Sequence, residues 1–582
     1  MILKYLGKRG WTLAAVCAVC MFVHCYLDLS IPGYMSSITE ILQSGGSADQ
    51  IADEGRGMIL CAFGSLFFSI LVALTSSRVA ASMATTLRKE QFEKVSKFSV
   101  SEIDRFSTAS LINRFTNDIT QIQRMMVMGL NAMTKTPIMA SLALFKISVG
   151  SWQWLAVTAI TVAFMIAVVI TVMRYVIPRF KRIQALTDDV NRVTEENITG
   201  VRVIRAFNAE DYQEKRSDDA DEALTTNNLS ARHAMSVMMP FVDTVMDMLT
   251  MSIYWIGALL ITDAYGPDKI GIFSDMVVFS SYTMHVVFSF VFMIMTLMQM
   301  PRALVSSKRV QEVIDTEPSI VSGELCKPLN GNGGSVEMSN VSFRYEGSPD
   351  YVLKDISFRV DPGETLAIIG ATGSGKTTLA NLIMRFYDVS EGSVCVDGSD
   401  VREYDLENLR SRFGYVPQKA IIFAGTVDFN VGYGLISDDG REEEIRRALD
   451  IAQASSFVDS MANGVESELS QGGTNLSGGQ RQRIAIARAV CIRPEILLFD
   501  DSFSALDYRT DRDLRNRLDA ECSESTKIII AQRVSTIMDA DRILVLDNGR
   551  VAGLGSHRDL LDSCEVYRDI ASSQLSDEEL MK

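Results

Sequence analysis

Basic charge is in short supply in this chain: 56 lysines and arginines stand against 72 aspartates and glutamates, a formal net charge of −16. A nucleic-acid partner wants a basic face, so this balance argues against that class of function. Cysteine is sparse and scattered, nine in 582 residues. Cys17 and Cys20 form a C-x-x-C, but inside a hydrophobic run with no matching pair, which reads as buried thiols on a helix. No disulfide framework is implied, in keeping with a polar mass facing a reducing cytoplasm. The basic start leads into an apolar run from Trp11 yet lacks a clear small-residue cleavage site, and the run continues past His24 and Asp28 to Tyr34. A retained first membrane span is expected rather than a signal peptide.

What is present divides in two. The chain is too long for one compact core. A content of 47% hydrophobic and 22% charged residues, with a mean hydropathy of +0.14, describes an apolar part joined to a water-soluble one. Six apolar stretches occupy the first 300 residues, near 11–34, 57–80, 127–149, 152–176, 238–262 and 275–299. Each is about the 20 residues that a helix needs to cross roughly 30 Å of hydrocarbon. Only Gly150 and Ser151 separate the third from the fourth, so a tight hairpin is expected there.

The gaps differ in charge. The connection over 81–126 carries Arg88, Lys89, Lys94, Lys97, Arg105, Arg114 and Arg124, and the one after the fourth span is similarly basic. The first outer loop, 35–56, sets Arg56 alone against Glu40, Asp49, Asp53 and Glu54. This distribution places both termini and both long connections in the cytoplasm. Few Pro or Gly residues interrupt those connections, so spans continuing into water as helical hairpins are expected, with solvated loops as the alternative. A charged helical segment over 302–318 leaves the membrane, and 321–334, holding Gly323, Pro328, Gly331, Gly333 and Gly334, reads as a linker. Soluble α/β periodicity begins at about Ser335.

The run Glu364-Thr-Leu-Ala-Ile-Ile passes into Gly370-Ala371-Thr372-Gly373-Ser374-Gly375-Lys376-Thr377, followed by Thr378-Leu-Ala-Asn-Leu-Ile. Strand, glycine turn and helix stand in the order of a phosphate-binding loop. The glycines let backbone N–H groups turn toward phosphate oxygens, and the helix N-terminus adds its dipole. Lys376 is placed to reach the terminal phosphates of ATP, and Thr377 to ligate Mg2+. A second apolar run, Ile496-Leu-Leu-Phe499, ends in Asp500, where a carboxylate holds Mg2+ directly or through water. Ile528-Ile-Ile-Ala531 reads as a third buried parallel strand.

Between these elements lies Leu476-Ser477-Gly478-Gly479-Gln480-Arg481-Gln482-Arg483. With it the chain resembles the ABC transporter superfamily, and its whole length is similar to a type IV exporter half. The resemblance implies an all-α membrane domain of six helices over 1–317 and a linker over 318–334. A cytoplasmic α/β P-loop nucleotide-binding domain with a helical subdomain would follow over 335–575, then a tail over 576–582. It further implies that Ser477, Gly478, Gly479 and Gln480 clamp the γ-phosphate bound on an opposite subunit. By the same resemblance Tyr345 stacks on adenine, and Gln418 contacts Mg2+ and reports to the membrane domain. Ser504-Ala-Leu-Asp507 would link the two ATP sites. The turns near Val100–Phe106 and 208–214 would be the coupling helices, sensed by 467–471.

Two positions depart from the family pattern. Consensus sites carry glutamate after the strand aspartate, as base or polariser of the attacking water; here Asp501 stands there. It is shorter by one C–C bond, roughly 1.5 Å, and a displacement of about 1 Å can cost on the order of 100-fold in rate. The family's switch histidine is replaced by Gln532, which hydrogen-bonds but carries neither proton nor charge. ATP binding should survive and fast hydrolysis should not. An intact signature serves only another phosphate loop, so a heterodimer with a second ABC half-transporter chain is expected; a slow homodimer is the alternative.

Fusion of spans and ATP domain resembles exporters, and the absence of a protease-like segment ahead of the first span disfavours a peptide-maturation exporter. The expected setting is a bacterial cell membrane. The expected cargo is an amphipathic or apolar small molecule, lipid or peptide, as in multidrug-type exporters; an ATP-gated channel or sensor is the rival reading. Met284, Met293, Met295, Met298 and Met300 along the last span suit an adaptable cavity or ordinary helix packing. Asp28, Asp243 and Asp247 fall within spans, where carboxylates attract cations or pair with neighbours.

Overall fold

A computed structural model of the chain describes residues 2–148, 152–263, 268–328, 333–435, 437 and 440–575. Two units are distinct: Met1–Ser96 with Ala109–Thr316, and Lys97–Thr108 with Glu317–Lys582.

The first unit is helical. α1 (Lys8–Asp28) and α2 (Ile31–Gln43) follow one another across a break at 29–30, with Pro32 in the first turn of α2, where a missing N–H costs little. α3 (Ala48–Val95) opens on a capping box in which Ser47 N–H donates to Gln50 Oε1 at 3.0 Å and Gln50 N–H to Ser47 Oγ at 3.4 Å. After α4 (Val100–Phe106), which belongs to the second unit, come α5 (Thr108–Asn113) and α6 (Ile119–Ser148). Then follow α7 (Trp152–Thr199), α8 (Val201–Ala206), α9 (Glu210–Ser236), α10 (Met238–Asp263) and α11 (Asp268–Asp315).

Helices α3, α7 and α11 have 48 residues each. At 1.5 Å per residue that is about 72 Å, more than twice the roughly 30 Å of hydrocarbon. The surplus runs on into water, and both long connections are helical rather than solvated loops. A π turn, Arg114–Asp118, precedes α6. Its Arg114 guanidinium donates to the Arg309 carbonyl at 2.7 Å and to Glu312 at 2.8 Å, while Asp118 accepts from Ser306 Oγ at 2.7 Å. Widening the helix by one residue thus turns two buried charges onto α11.

Five helical segments among the described residues are long and apolar enough to cross a membrane: Lys8–Gln43, Ala48–Val95, Trp152–Arg179, Glu210–Asp263 and Lys269–Asp315. The expectation was six. The missing one is the stretch 127–149, which lies on α6 apart from residue 149, outside the described residues. At 30 residues α6 has the length, but Asn131, Thr134, Lys135, Thr136 and Lys146 dilute its apolar content. The expected hairpin at Gly150 and Ser151, part of the linker (329–332) and the tail over 576–582 also lie outside the described residues. Cys17, Cys20 and Cys25 are buried in the helical core, and all nine cysteines are free thiols.

The second unit is layered α/β. Its six-stranded sheet runs, edge to edge, Arg550–Gly555, Arg542–Asp547, Thr365–Gly370, Thr526–Ile530, Ile496–Asp500 and Phe413–Val416. All neighbours are parallel except the first pair. The strands Thr526–Ile530 and Ile496–Asp500 are buried along their whole length, which explains the apolar runs Ile528–Ile530 and Ile496–Phe499 within them. A four-stranded antiparallel sheet built on Val336–Phe343 packs with the helix Lys376–Ile383 in one core. The helices Arg441–Ile451 and Gly478–Cys491 join a second core as a helical lobe.

Candidate functional site

The parallel strands end side by side. Register pairs Ile530 with Asp500 and with Ile368, and Val416 with Phe499. One crevice at the carboxyl ends of the sheet therefore receives the loop after Gly370, the Asp500–Asp501 tip, Gln532 and Gln418. Crevices of this kind are where open α/β sheets bind ligands.

The phosphate loop is shaped by its glycines. A Cβ at Gly370 would collide with the Leu546 carbonyl oxygen, and Gly375 sits at φ +100°, a conformation that side chains oppose. Ala371, Thr372 and Gly373 form the exposed rim, and Ser374 N–H donates to the Ala371 carbonyl at 3.1 Å. Lys376 Nζ donates to the Gly370 and Ala371 carbonyls, each at 2.8 Å, so its ammonium stands at the mouth of the loop. Burial lowers its pKa from the ordinary lysine value, against the pull of Asp501 and Asp500. The buried Ser374 hydroxyl has no hydrogen-bond partner among the described residues, an orphan that a phosphate oxygen would satisfy.

Thr377 Oγ1 donates to Asp500 Oδ1 at 3.2 Å. Asp500 is 2% exposed; burial raises its pKa, opposed by the Thr377 hydrogen bond, with Asp501 raising and Lys376 lowering it further. A hydroxyl and a carboxylate oxygen side by side form a hard donor pair of the kind Mg2+ selects. Gln418, exposed, reaches this group only through Asp501.

Asp501 occupies a left-handed backbone conformation, φ +49°, with its N–H donating to the Ile530 carbonyl at 2.9 Å. Its Oδ2 accepts from Gln532 Nε2 at 2.9 Å and from Gln418 Nε2 at 3.2 Å. The two divergent positions thus touch. Sequence reasoning missed the residue that holds them: the Gln574 amide donates to the Gln532 carbonyl at 2.9 Å and accepts from Val534 N–H at 2.8 Å. No motif or spacing marks Gln574.

Tyr345 is half-buried, and its hydroxyl shares a 2.9 Å hydrogen bond with Thr378 Oγ1. Its ring lies edge-on to Phe343 and to Tyr387, centroids 4.9 and 5.3 Å away. Tyr387 in turn donates to Asp104 of α4 at 3.1 Å; burial and then Asp104 raise its pKa. On the same short helix Glu102 accepts from Ser99 N–H at 2.7 Å and Ser319 N–H at 3.1 Å. Sequence reasoning found α4 but neither Tyr387 nor these anchors.

Ser477 caps the helix Gly478–Cys491 in a reciprocal box, Gln480 N–H to Ser477 Oγ at 3.2 Å and Ser477 N–H to Gln480 Oε1 at 2.8 Å. A Cβ on Gly478 would meet open space. Among the described residues no hydrogen bond ties 477–480 to the phosphate loop of the same chain.

A glycine-lined phosphate crevice on a chain that also carries long apolar helices defines a membrane protein with its own nucleotide-binding domain. Residues 353–504 match the family described as ABC transporter, and residues 14–300 the ABC transporter transmembrane region. An uncharacterized ABC transporter ATP-binding protein of Mycobacterium tuberculosis is 37% identical over 522 residues, 89% of this chain and 87% of that protein. An ATP-dependent lipid A-core flippase of Vibrio vulnificus is 30% identical over 596 residues, 98% of each. A solved bacterial Atm1-family ABC exporter with ATP bound is similar with a TM-score of 0.80 and 26% identity, over 97% of this chain and 98% of that one.

The chain belongs to the ABC transporter family, with transmembrane and nucleotide-binding parts fused in one polypeptide. It is an ATP-hydrolysing, multi-pass membrane exporter whose nucleotide-binding domain is cytoplasmic.

Proposed function

We propose that this chain is the weakly hydrolytic half of a two-chain exporter. It holds ATP on its own phosphate loop and lends Ser477, Gly478, Gly479 and Gln480 to a competent site on a second ABC half-transporter. The observation that carries this reading is the pair of amides on Asp501: an oxygen that accepts from both Gln418 and Gln532 is poorly placed to orient water. Gln532 also brings no charge to the γ-phosphate.

Lys376 and the loop N–H groups orient the phosphates, and Tyr345 stacks on adenine. Thr377, Asp500 and, by resemblance, Gln418 would hold Mg2+, whose charge would offset that of the phosphates. Binding closes the two nucleotide domains and turns the membrane cavity outward, by alternating access. α6 is the third of six membrane helices, both termini are cytoplasmic, and the membrane domain runs to about residue 317, the nucleotide-binding domain over 335–575. The likeness to a lipid A-core flippase supports an amphipathic cargo taken from the inner leaflet.

Purification from the native membrane tests the partnership. A second ABC half-transporter with glutamate and histidine at the positions matching 501 and 532 should co-purify. Recovery of this chain only with copies of itself would favour the slow homodimer. ATP-dependent opening without accumulation of cargo would mark a gated channel.

A further inference from the structure

Four histidines occur in the whole chain, and two of them, His24 and His285, lie in the helical unit around Asp28. Asp28 accepts from Ser65 Oγ at 3.4 Å and faces His285 Nδ1 at 3.9 Å, while His24 Nδ1 shares a 3.0 Å hydrogen bond with the same Ser65 hydroxyl. That carboxylate is therefore engaged within the protein. Asp243 and Asp247 lie exposed on α10. None of the three lines the cleft of about 560 Å³ between α6 and α11.

What lines the cleft is basic and apolar: Lys135 and His285, beside Asn131, Met139, Phe288 and Phe292. Lys135 makes no hydrogen bond or ion pair with any described residue. An ammonium without a counterion inside a membrane domain is costly and marks a site of use. Thr136 Oγ1, the next residue, donates to the Ser289 carbonyl at 2.8 Å, which fixes the two walls against each other. The volume suits a small-molecule or headgroup-sized ligand.

We propose that the α6–α11 cleft binds an amphiphile by its anionic head, a phosphate or carboxylate at Lys135, with the hydrocarbon against Met139, Phe288 and Phe292. The inference rests on the exporter reading above and adds the sign of the cargo's charge.

Binding to the full-length chain in phosphatidylcholine nanodiscs, without ATP, provides the test. The probes are hexadecyl phosphate, hexadecylphosphocholine, hexadecyltrimethylammonium and inorganic phosphate. Hexadecyl phosphate should bind most tightly, lose on the order of tenfold in affinity in Lys135→Gln, and recover in Lys135→Arg; a salt bridge of this kind carries that much. An unchanged thermal unfolding midpoint in both variants verifies folding, and hexadecylphosphocholine, whose phosphate is offset by its own ammonium, should lose less affinity in Lys135→Gln than hexadecyl phosphate does. Equal affinity for hexadecyl phosphate in wild type and Lys135→Gln, or preference for the ammonium amphiphile, overturns the proposal. Inorganic phosphate competing as tightly as its alkyl ester overturns it in favour of a free oxyanion. Transport that ignores headgroup charge sinks this proposal alone, whereas charge-selective binding without ATP-driven transport sinks the exporter cycle alone.

Discussion

The carboxamide of Gln532 donates to Asp501 Oδ2 at 2.9 Å, joining the two positions where this chain leaves the family pattern. An amide donates but does not accept a proton from water, and an aspartate so engaged is a poor partner for the attacking nucleophile. If this site turns over little, removing Asp501 should matter little. Asp501→Ala, which deletes the bonds from Gln418 and Gln532, is nevertheless expected to change ATPase of the assembled complex by less than about fivefold, a difference of roughly 1 kcal/mol. Glutamine in place of the partner's glutamate should abolish it. Steady-state ATPase of the two complexes checks the ranking.

Tyr387 stands between α4 and the nucleotide site, bonded to Asp104 and packed edge-on against Tyr345. Tyr387→Phe keeps the ring and deletes the bond, worth about 1 kcal/mol, roughly fivefold in an equilibrium constant. The expected effect is a Kd for ATP raised by up to that factor. Titration with a fluorescent ATP analogue reads it directly.

Gln574 clasps the backbone on both sides of Arg533 with one amide. Gln574→Leu should expose Val534 N–H to hydrogen exchange while leaving turnover of the two-chain complex nearly unchanged, because the clasped switch belongs to the slow site. A large fall in turnover with unchanged exchange would contradict the role assigned to it.

Glu102 links α4 to the segment after α11. Burial alone would raise its pKa, but hydrogen bonds from Ser99 and Ser319 prevail and hold it below the ordinary carboxylate value. A lowered folded-state pKa contributes stability above the unfolded value, about 4.3, and loses it as pH falls through the folded one. Protection of the Ser99 and Ser319 amides should therefore persist from pH 7 to pH 5. Glu102→Gln should weaken it at every pH.

Local signals were the legible ones. The phosphate loop, the Asp500 tip and the signature run at Ser477 are short contiguous patterns, whereas the capping box that Ser477 forms with Gln480 was not read from the sequence. Val100–Phe106 was legible as a helical turn, yet its bond from Tyr387 spans 283 positions and leaves no periodic trace. Gln574 reaches back 42 positions on the same terms. α6 was expected as an apolar span, but tertiary packing against α11 and its polar cleft account for residues that hydropathy alone counts against it. Met284, Met293, Met295, Met298 and Met300, open in the sequence between cavity lining and ordinary helix packing, do not line the cleft; Met128 and Met139 on α6 do.

ATP turnover by the purified chain assembled only with copies of itself bears most directly on the site at Asp501 and Gln532. It should be slow, and Asp501→Glu combined with Gln532→His should raise it by on the order of 100-fold. Brisk turnover and cargo movement by the unaltered chain alone, with no gain in the double variant, would contradict the two-chain account.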